Sequence, residues 1–190
     1  MDIPDWVVER ARDGDMDALS ELVRLSQAEV YTLALRLTGN EEDARDVVQD
    51  TYLRVMKGIR RFRGDSALST WLYRVTANTA YTFLQRSKKH RARPLSEVED
   101  VTPLPDTSLD RPDDAVLARE LRERLQEAVS DLPPAYRSVV VLKDIYGLSH
   151  EEIAESLGIS VTACKVRLFR ARRRLREVLF GGDEDEKVAI

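Results

Sequence analysis

The chain has 190 residues, 6% of them aromatic and 34% charged, so any core must be aliphatic and thin. One cysteine and two histidines (His90 and His150) exclude an internal disulfide and a structural zinc site and leave a nucleophilic triad short of parts; no metal, cofactor or catalytic residue is expected. The net charge of -4 is blocked out along the chain: -6 over 1–57, +8 over 58–93, -7 over 94–132, +4 over 133–180 and -3 in the tail, a pattern of two basic modules separated by acid that suits two contacts on a polyanion.

No apolar run is long enough for a bilayer, and Met1-Asp2-Ile3-Pro4-Asp5 lacks the build of a signal peptide, so a cytoplasmic chain without membrane contact is expected. Helical periodicity is nearly everywhere and strand signals nearly nowhere, which predicts an all-α fold. A short helix from Pro4 to about Gly14 precedes one over Asp15–Thr38 with the stripe Leu19, Leu22, Val23, Val30, Leu33 and Leu37. Gly39-Asn40 stops it, and Asn40 caps a helix whose acidic first turn suits the dipole and whose inner face is Ala44, Val48, Thr51, Tyr52 and Val55. After the turn at Arg63-Gly64-Asp65 a helix is expected over Ser66–Lys88, with Leu68, Leu72 and Val75 inward.

Residues 94–113 hold Pro94, Pro103, Pro105 and Pro112 among scattered acids and hydroxyls, and read as an extended acidic linker. A helix follows over Asp114–Ser130, and Pro133-Pro134 opens another that runs to Gly147. Ser149-His150-Glu151-Glu152 is a capping box, Gly158-Ile159-Ser160 a turn, and Ser160 a cap for a helix with Cys164, Leu168, Ala171 and Leu175 inward. This is a helix-turn-helix with its recognition helix at about 161–177. Its outer face carries Thr162, Lys165, Val166, Phe169, Arg170 and Arg173, with base-edge readers early and phosphate-neutralising arginines later.

Two further faces need partners. Leu53 lies among Asp46, Gln49 and Asp50 on the outer side of its helix, as on a protein-binding surface. Trp71, Arg74, Asn78, Tyr81 and Gln85 recur in steps of three and four, and with Arg86, Lys88, Lys89, Arg91 and Arg93 beyond them they suit unpaired bases and their backbone. Burial of Trp71 and Tyr81 in a small core is the plainer alternative.

Asp43-Ala-Arg-Asp-Val-Val-Gln-Asp-Thr-Tyr-Leu-Arg54 and the stretch Phe62–Ala80 resemble region 2 of extracytoplasmic-function (ECF) sigma factors of the sigma-70 superfamily. Leu132-Pro-Pro-Ala-Tyr-Arg137, Gly147–Ala154 and Lys165–Arg172 resemble their region 4. The resemblance implies two small helical domains, region 2 at 1–93 and region 4 at 114–180, with a linker at 94–113 and an acidic tail at 181–190. It implies docking of Asp46, Gln49, Asp50 and Leu53 on the clamp helices of the largest subunit of core RNA polymerase. It places single-stranded −10 DNA on Phe62, Arg63, Gly64, Asp65, Ser66, Trp71, Arg74, Asn78 and Tyr81. Duplex −35 DNA falls on Ser160, Thr162, Lys165, Val166, Phe169, Arg170 and Arg173, and an anti-sigma factor is the expected regulator. Two rivals stand beside it: a free-standing helix-turn-helix regulator, and a metal-dependent nucleic-acid enzyme using Asp43, Asp46 and Asp50.

Overall fold

The computed structural model describes residues 1–90 and 112–181, and it is all-α among them. The linker expected at 94–113 falls outside the described residues except for its last two, which open a helix; the expected acidic tail lies outside them beyond Gly181.

The first half contains α1 (Asp5–Arg12), α2 (Met16–Thr38), α3 (Glu41–Gly58), a 3-10 turn at Ile59–Arg61 and α4 (Leu68–His90). The boundaries follow local chemistry. Asp15 accepts from the amides of Asp17 and Ala18 to start α2, and Gly39 ends it at φ +85°. Asn40 then caps α3 through the amide of Asp43. The inner face of α3 is turned slightly from the one expected, since Val47 is fully buried and Val48 only partly. α4 begins two residues later than expected, after a loop in which Gly64 holds φ +81°. Val7, Leu19, Leu22, Val55, Ile59, Phe62 and Leu72 make one largely aliphatic core here.

The second half contains α5 (Pro112–Ser130), α6 (Pro134–Val140), a π-helical turn at Val141–Ile145, α7 (His150–Leu157) and α8 (Val161–Phe180). Residues 137–142 are all buried, so the chain is enclosed on every side where α6 passes into the turn. The one continuous helix expected to Gly147 instead widens after Val140, with the Tyr146 amide donating to Val141 O and that of Leu148 to Leu142 O.

The two halves are packed together. One apolar cluster takes Leu33, Leu37, Ala44, Val47, Ala77 and Ala80 from the first half and Val139, Leu142, Ile153 and Leu157 from the second. On α4, the buried Ala77 and Ala80 belong to this cluster, and such small residues let α7 and α6 approach the helix closely.

At the join sits Arg137. Its Nη1 donates to Leu37 O in the last turn of α2 (3.3 Å), and its Nη2 donates to Leu132 O (3.2 Å) and Ser130 O at the end of α5. One buried cation thus satisfies the orphan carbonyls of two helix ends. Gly39 makes room for it, since a Cβ there would lie 2.7 Å from Nη1. Burial lowers the guanidinium's pKa from its ordinary value. Arg137→Met keeps the stem and leaves three carbonyls without their donor; it is expected to cost about 2–4 kcal/mol of stability, read as a lower urea midpoint. An unchanged midpoint would remove this role.

Candidate nucleic-acid interface

The helix-turn-helix forms as its local signals dictate. Ser149 accepts from the Glu152 amide (3.1 Å) while the Glu152 carboxylate accepts from the Ser149 amide (2.8 Å), closing the capping box. That hydrogen bond lowers the Glu152 pKa from the usual carboxylate value. Gly158 turns the chain at φ +63°, and Ser160 caps α8 by accepting from the Ala163 amide. The Ser160 side chain is therefore engaged in the cap, leaving the rest of the outer face to meet a ligand.

On α8, Cys164, Leu168, Ala171 and Leu175 are buried as expected. Thr162, Lys165, Val166, Phe169, Arg170 and Arg173 are exposed together, Phe169 by 68%. Arg172 grips Asp144 with Nε 3.0 Å from Oδ2, and Arg173 reaches Glu177 at 3.2 Å, so these two arginines are braced by carboxylates. Lys165 and Arg170 stand nearer the N-terminal end, beside the two apolar groups. The surface is a protruding basic helix with an apolar strip, which fits a major groove presenting phosphates and thymine methyls.

The second surface lies on α4 and the loop before it. Arg63, Gly64 and Asp65 are exposed, and Ser66 is half-buried. Phe62 is not presented with them: it is 9% exposed, set in the first core with its ring 5.5 Å from that of Trp71. Trp71 is half-buried, its edge 3.3 Å from where a Cβ on Gly58 would stand, so Gly58 makes room for the indole. Tyr81 is half-buried against the shared core. The plainer packing role thus accounts for much of all three aromatic rings.

Arg74 and Asn78 face α7. Arg74 forms an ion pair with Glu155, and the Asn78 amide donates to Ser156 O at 3.0 Å. The contact continues outward through Tyr146, whose ring meets that of Tyr73 edge-on at 4.6 Å and whose hydroxyl accepts from Arg36. Tyr73 in turn donates to Glu29, and burial holds both phenols above their ordinary pKa. The two surfaces are therefore not equally available: α8 is open, whereas on α4 Asn78 is exposed but tied to α7 by one hydrogen bond, and Arg74 is half-buried against Glu155.

The third surface is on α3. Asp46, Gln49 and Asp50 are exposed, and Leu53 is exposed by 49%. Met56, exposed three residues on, was missed; its spacing from Leu53 is the signal that shows it. Asp43 does not share this face, being buried and bonded through Oδ2 to Asn40 Nδ2. Among the described residues no cluster of three His, Cys, Asp or Glu side chains is placed to hold a metal. No helix of the described residues is long and apolar enough to cross a membrane. Arg54, Glu155 and Ser156, which meet Asn78 and Arg74, carry no sequence signal for those contacts, because each pair joins different helices.

Burial raises the pKa of the Cys164 thiol. Its alkylation by iodoacetamide is therefore expected to be slow in the native protein and fast in denaturant, as read by intact mass. Rapid native labelling would mean that α8 is not seated on its stripe.

The family model "Sigma-70 region 2" matches residues 22–90, and "Sigma-70, region 4" matches residues 122–175. The chain is similar to the ECF RNA polymerase sigma factor SigE of Mycolicibacterium smegmatis, 37% identical over 164 residues; the match covers 86% of this chain and 62% of that relative's length. It is 33% identical over 176 residues to the ECF RNA polymerase sigma factor SigW of Bacillus subtilis, covering 90% of this chain and 94% of the relative. The fold is shared with the sigma factor RpoE solved in complex with the anti-sigma factor NepR from Bartonella quintana, with TM-score 0.63 and 24% identity over 84% of this chain and 95% of that one.

Proposed function

The chain belongs to the extracytoplasmic-function branch of the sigma-70 family, a family of transcription-initiation factors and not of enzymes, and from that premise we propose how its surfaces divide the work. Residues 1–93 bind core RNA polymerase and take the −10 element as a single strand; residues 114–180 read the −35 element as duplex. The protein works in the cytoplasm, without membrane contact of its own.

The observation that carries this reading is the outer face of α8, where Lys165, Val166, Phe169 and Arg170 stand exposed on a helix fixed by two caps and a buried stripe. A rigid basic helix of that kind enters a major groove with little ordering cost. The α3 face supports the polymerase contact: exposed Leu53 and Met56 among Asp46, Gln49 and Asp50 suit a helical partner with basic and apolar side chains, here the clamp helices of the largest subunit. The loop at Arg63–Ser66, with Arg74 and Asn78, receives the −10 strand.

The contacts of Arg74 and Asn78 with α7 compete with a base for the same side chains. Engagement of the −10 strand is thus favoured when the halves separate, and a protein that clasps them together keeps the chain inactive. An anti-sigma factor is the regulator we assign to that role, as the relative solved with NepR is bound by one.

The reading is tested by mixing the purified chain with bacterial core RNA polymerase and mapping transcripts on genomic DNA; a stoichiometric complex with defined starts is expected, and absence of a complex would overturn it. Asp50→Arg is expected to weaken core binding at least tenfold with the circular dichroism spectrum unchanged, and undiminished affinity would remove α3 as the docking face. Lys165→Ala is expected to cost about 1–3 kcal/mol at one −35 base pair if the ammonium reads a base. A loss spread evenly over all sequences would instead make Lys165 a phosphate contact.

A further inference from the structure

Asn78 is held from two sides. Arg54, on α3, donates from Nη1 to Asn78 Oδ1 at 2.9 Å, and Asn78 Nδ2 donates to Ser156 O at 3.0 Å. These contacts fix which way the amide points. A guanidinium has donors only, so the atom it meets must be the oxygen; a backbone carbonyl only accepts, so the atom facing it must be the nitrogen. Both neighbours demand the same orientation. Only one of them leaves when α7 leaves. Arg54 sits within the first half and remains beside Asn78 after the halves part.

We propose that Arg54 is a positioning residue for −10 recognition: by occupying Asn78 Oδ1 it turns Asn78 Nδ2 outward and makes the side chain a donor toward the DNA strand. The inference rests on the reading of α4 as the −10 surface. In the closed chain the Ser156 carbonyl oxygen occupies the place that a base acceptor takes in the complex. The strand is therefore met there through a base acceptor, and a carbonyl oxygen of cytosine, thymine or guanine takes the place of the Ser156 oxygen most directly.

Adenine is disfavoured for a specific reason. The strong contact of a primary amide with adenine is bidentate, with the amide oxygen accepting from the base's N6 amino group while the amide nitrogen donates to a ring nitrogen. Arg54 holds the oxygen toward α3, so that its remaining lone pair is not aimed at the strand. Half of the bidentate pair is thus unavailable, and adenine retains only a single contact to a ring nitrogen while its amino group meets no acceptor on Asn78. One such contact sets a discrimination of about tenfold between bases.

The charge at position 54 then dictates the choice of base. A carboxylate at that position accepts from Nδ2, turns the amide over and presents Oδ1 to the strand, where it meets amino groups of bases instead of carbonyls. A lysine still donates and preserves the natural orientation. A methionine keeps the aliphatic stem and frees the amide to rotate.

The test uses holoenzyme assembled from core RNA polymerase and the full chain, as wild type and as Asn78→Ala, Arg54→Lys, Arg54→Glu and Arg54→Met. The probe is a synthetic fork-junction DNA library with a randomised single-stranded −10 segment, and the bound pool is sequenced. Core affinity and thermal midpoint are measured in parallel, so that a variant that fails to fold or assemble is recognised; Arg54→Met then serves in place of Arg54→Glu.

With wild type, adenine is expected to be depleted at one position, and Asn78→Ala should flatten that position alone. Arg54→Lys should keep the depletion, Arg54→Met should flatten it, and Arg54→Glu should shift the ratio of adenine to thymine upward by about tenfold. If Asn78→Ala flattens the position while Arg54→Glu and Arg54→Met retain the wild-type profile, the positioning role is overturned and base reading by Asn78 stands. If Asn78→Ala leaves the whole profile unchanged, or wild type shows no preference at any position, the assignment of Asn78 to the −10 strand fails, and the inference fails with it.

Discussion

A single buried guanidinium holds the arrangement together. Arg137 belongs to α6, yet its hydrogen bonds end on α2 and at the close of α5, so it satisfies helix ends that lie on both sides of the linker. A buried cation is costly without partners, and carbonyls at a helix C-terminus carry partial negative charge, so each offsets part of the other's penalty, although Arg137 Nε is left without a partner. The site works only because Gly39, needed for the left-handed turn after α2, also presents no side chain to the approaching arginine. Geometry at this one point fixes the distance between α2 and α6, and the apolar cluster closes around it.

That closure sets the order of functional events. α4 serves two masters: its Thr76, Ala77, Thr79 and Ala80 are buried in the closed chain, and its Arg74 and Asn78 are the polar tips assigned to DNA. The Arg74–Glu155 pair is largely solvent-exposed on the Glu155 side and contributes little to holding the halves shut. The grip comes from the small buried residues and from Arg137, which sit deeper. On the proposed division of work, polymerase binding at α3 and duplex binding at α8, the faces that stay open, supply the free energy that separates the parts that are shut.

Local signals were legible in the sequence. The Ser149–Glu152 box, the Gly158 turn, the Ser160 cap, the Asn40 cap and the Cys164–Leu175 stripe each depend on residues within a few positions, and each forms as read. The resemblance to region 2 and region 4 likewise matched the family to which the chain belongs. What escaped reading is long-range. Nothing near Ala77 or Ala80 announces that a second half will cover them, since a small residue on a helix is compatible with solvent or with close packing. Phe62 and Trp71 were read as partners for bases, and their rings also pack tilted against each other in and beside the core, where a thin aliphatic interior gains most from its few rings. Arg54 lies 24 residues from Asn78, and only the crossing of α3 with α4 brings them together.

The central claim is that the free chain is closed and opens on core polymerase. The most direct measurement places a donor and an acceptor dye at Gln27 on α2 and Glu151 on α7, both exposed, on a Cys164→Ala background, and records single-molecule distances. The account predicts one narrow distribution for the free chain and a longer distance once core polymerase is bound. A broad distribution in the free chain, unchanged by polymerase, would contradict it.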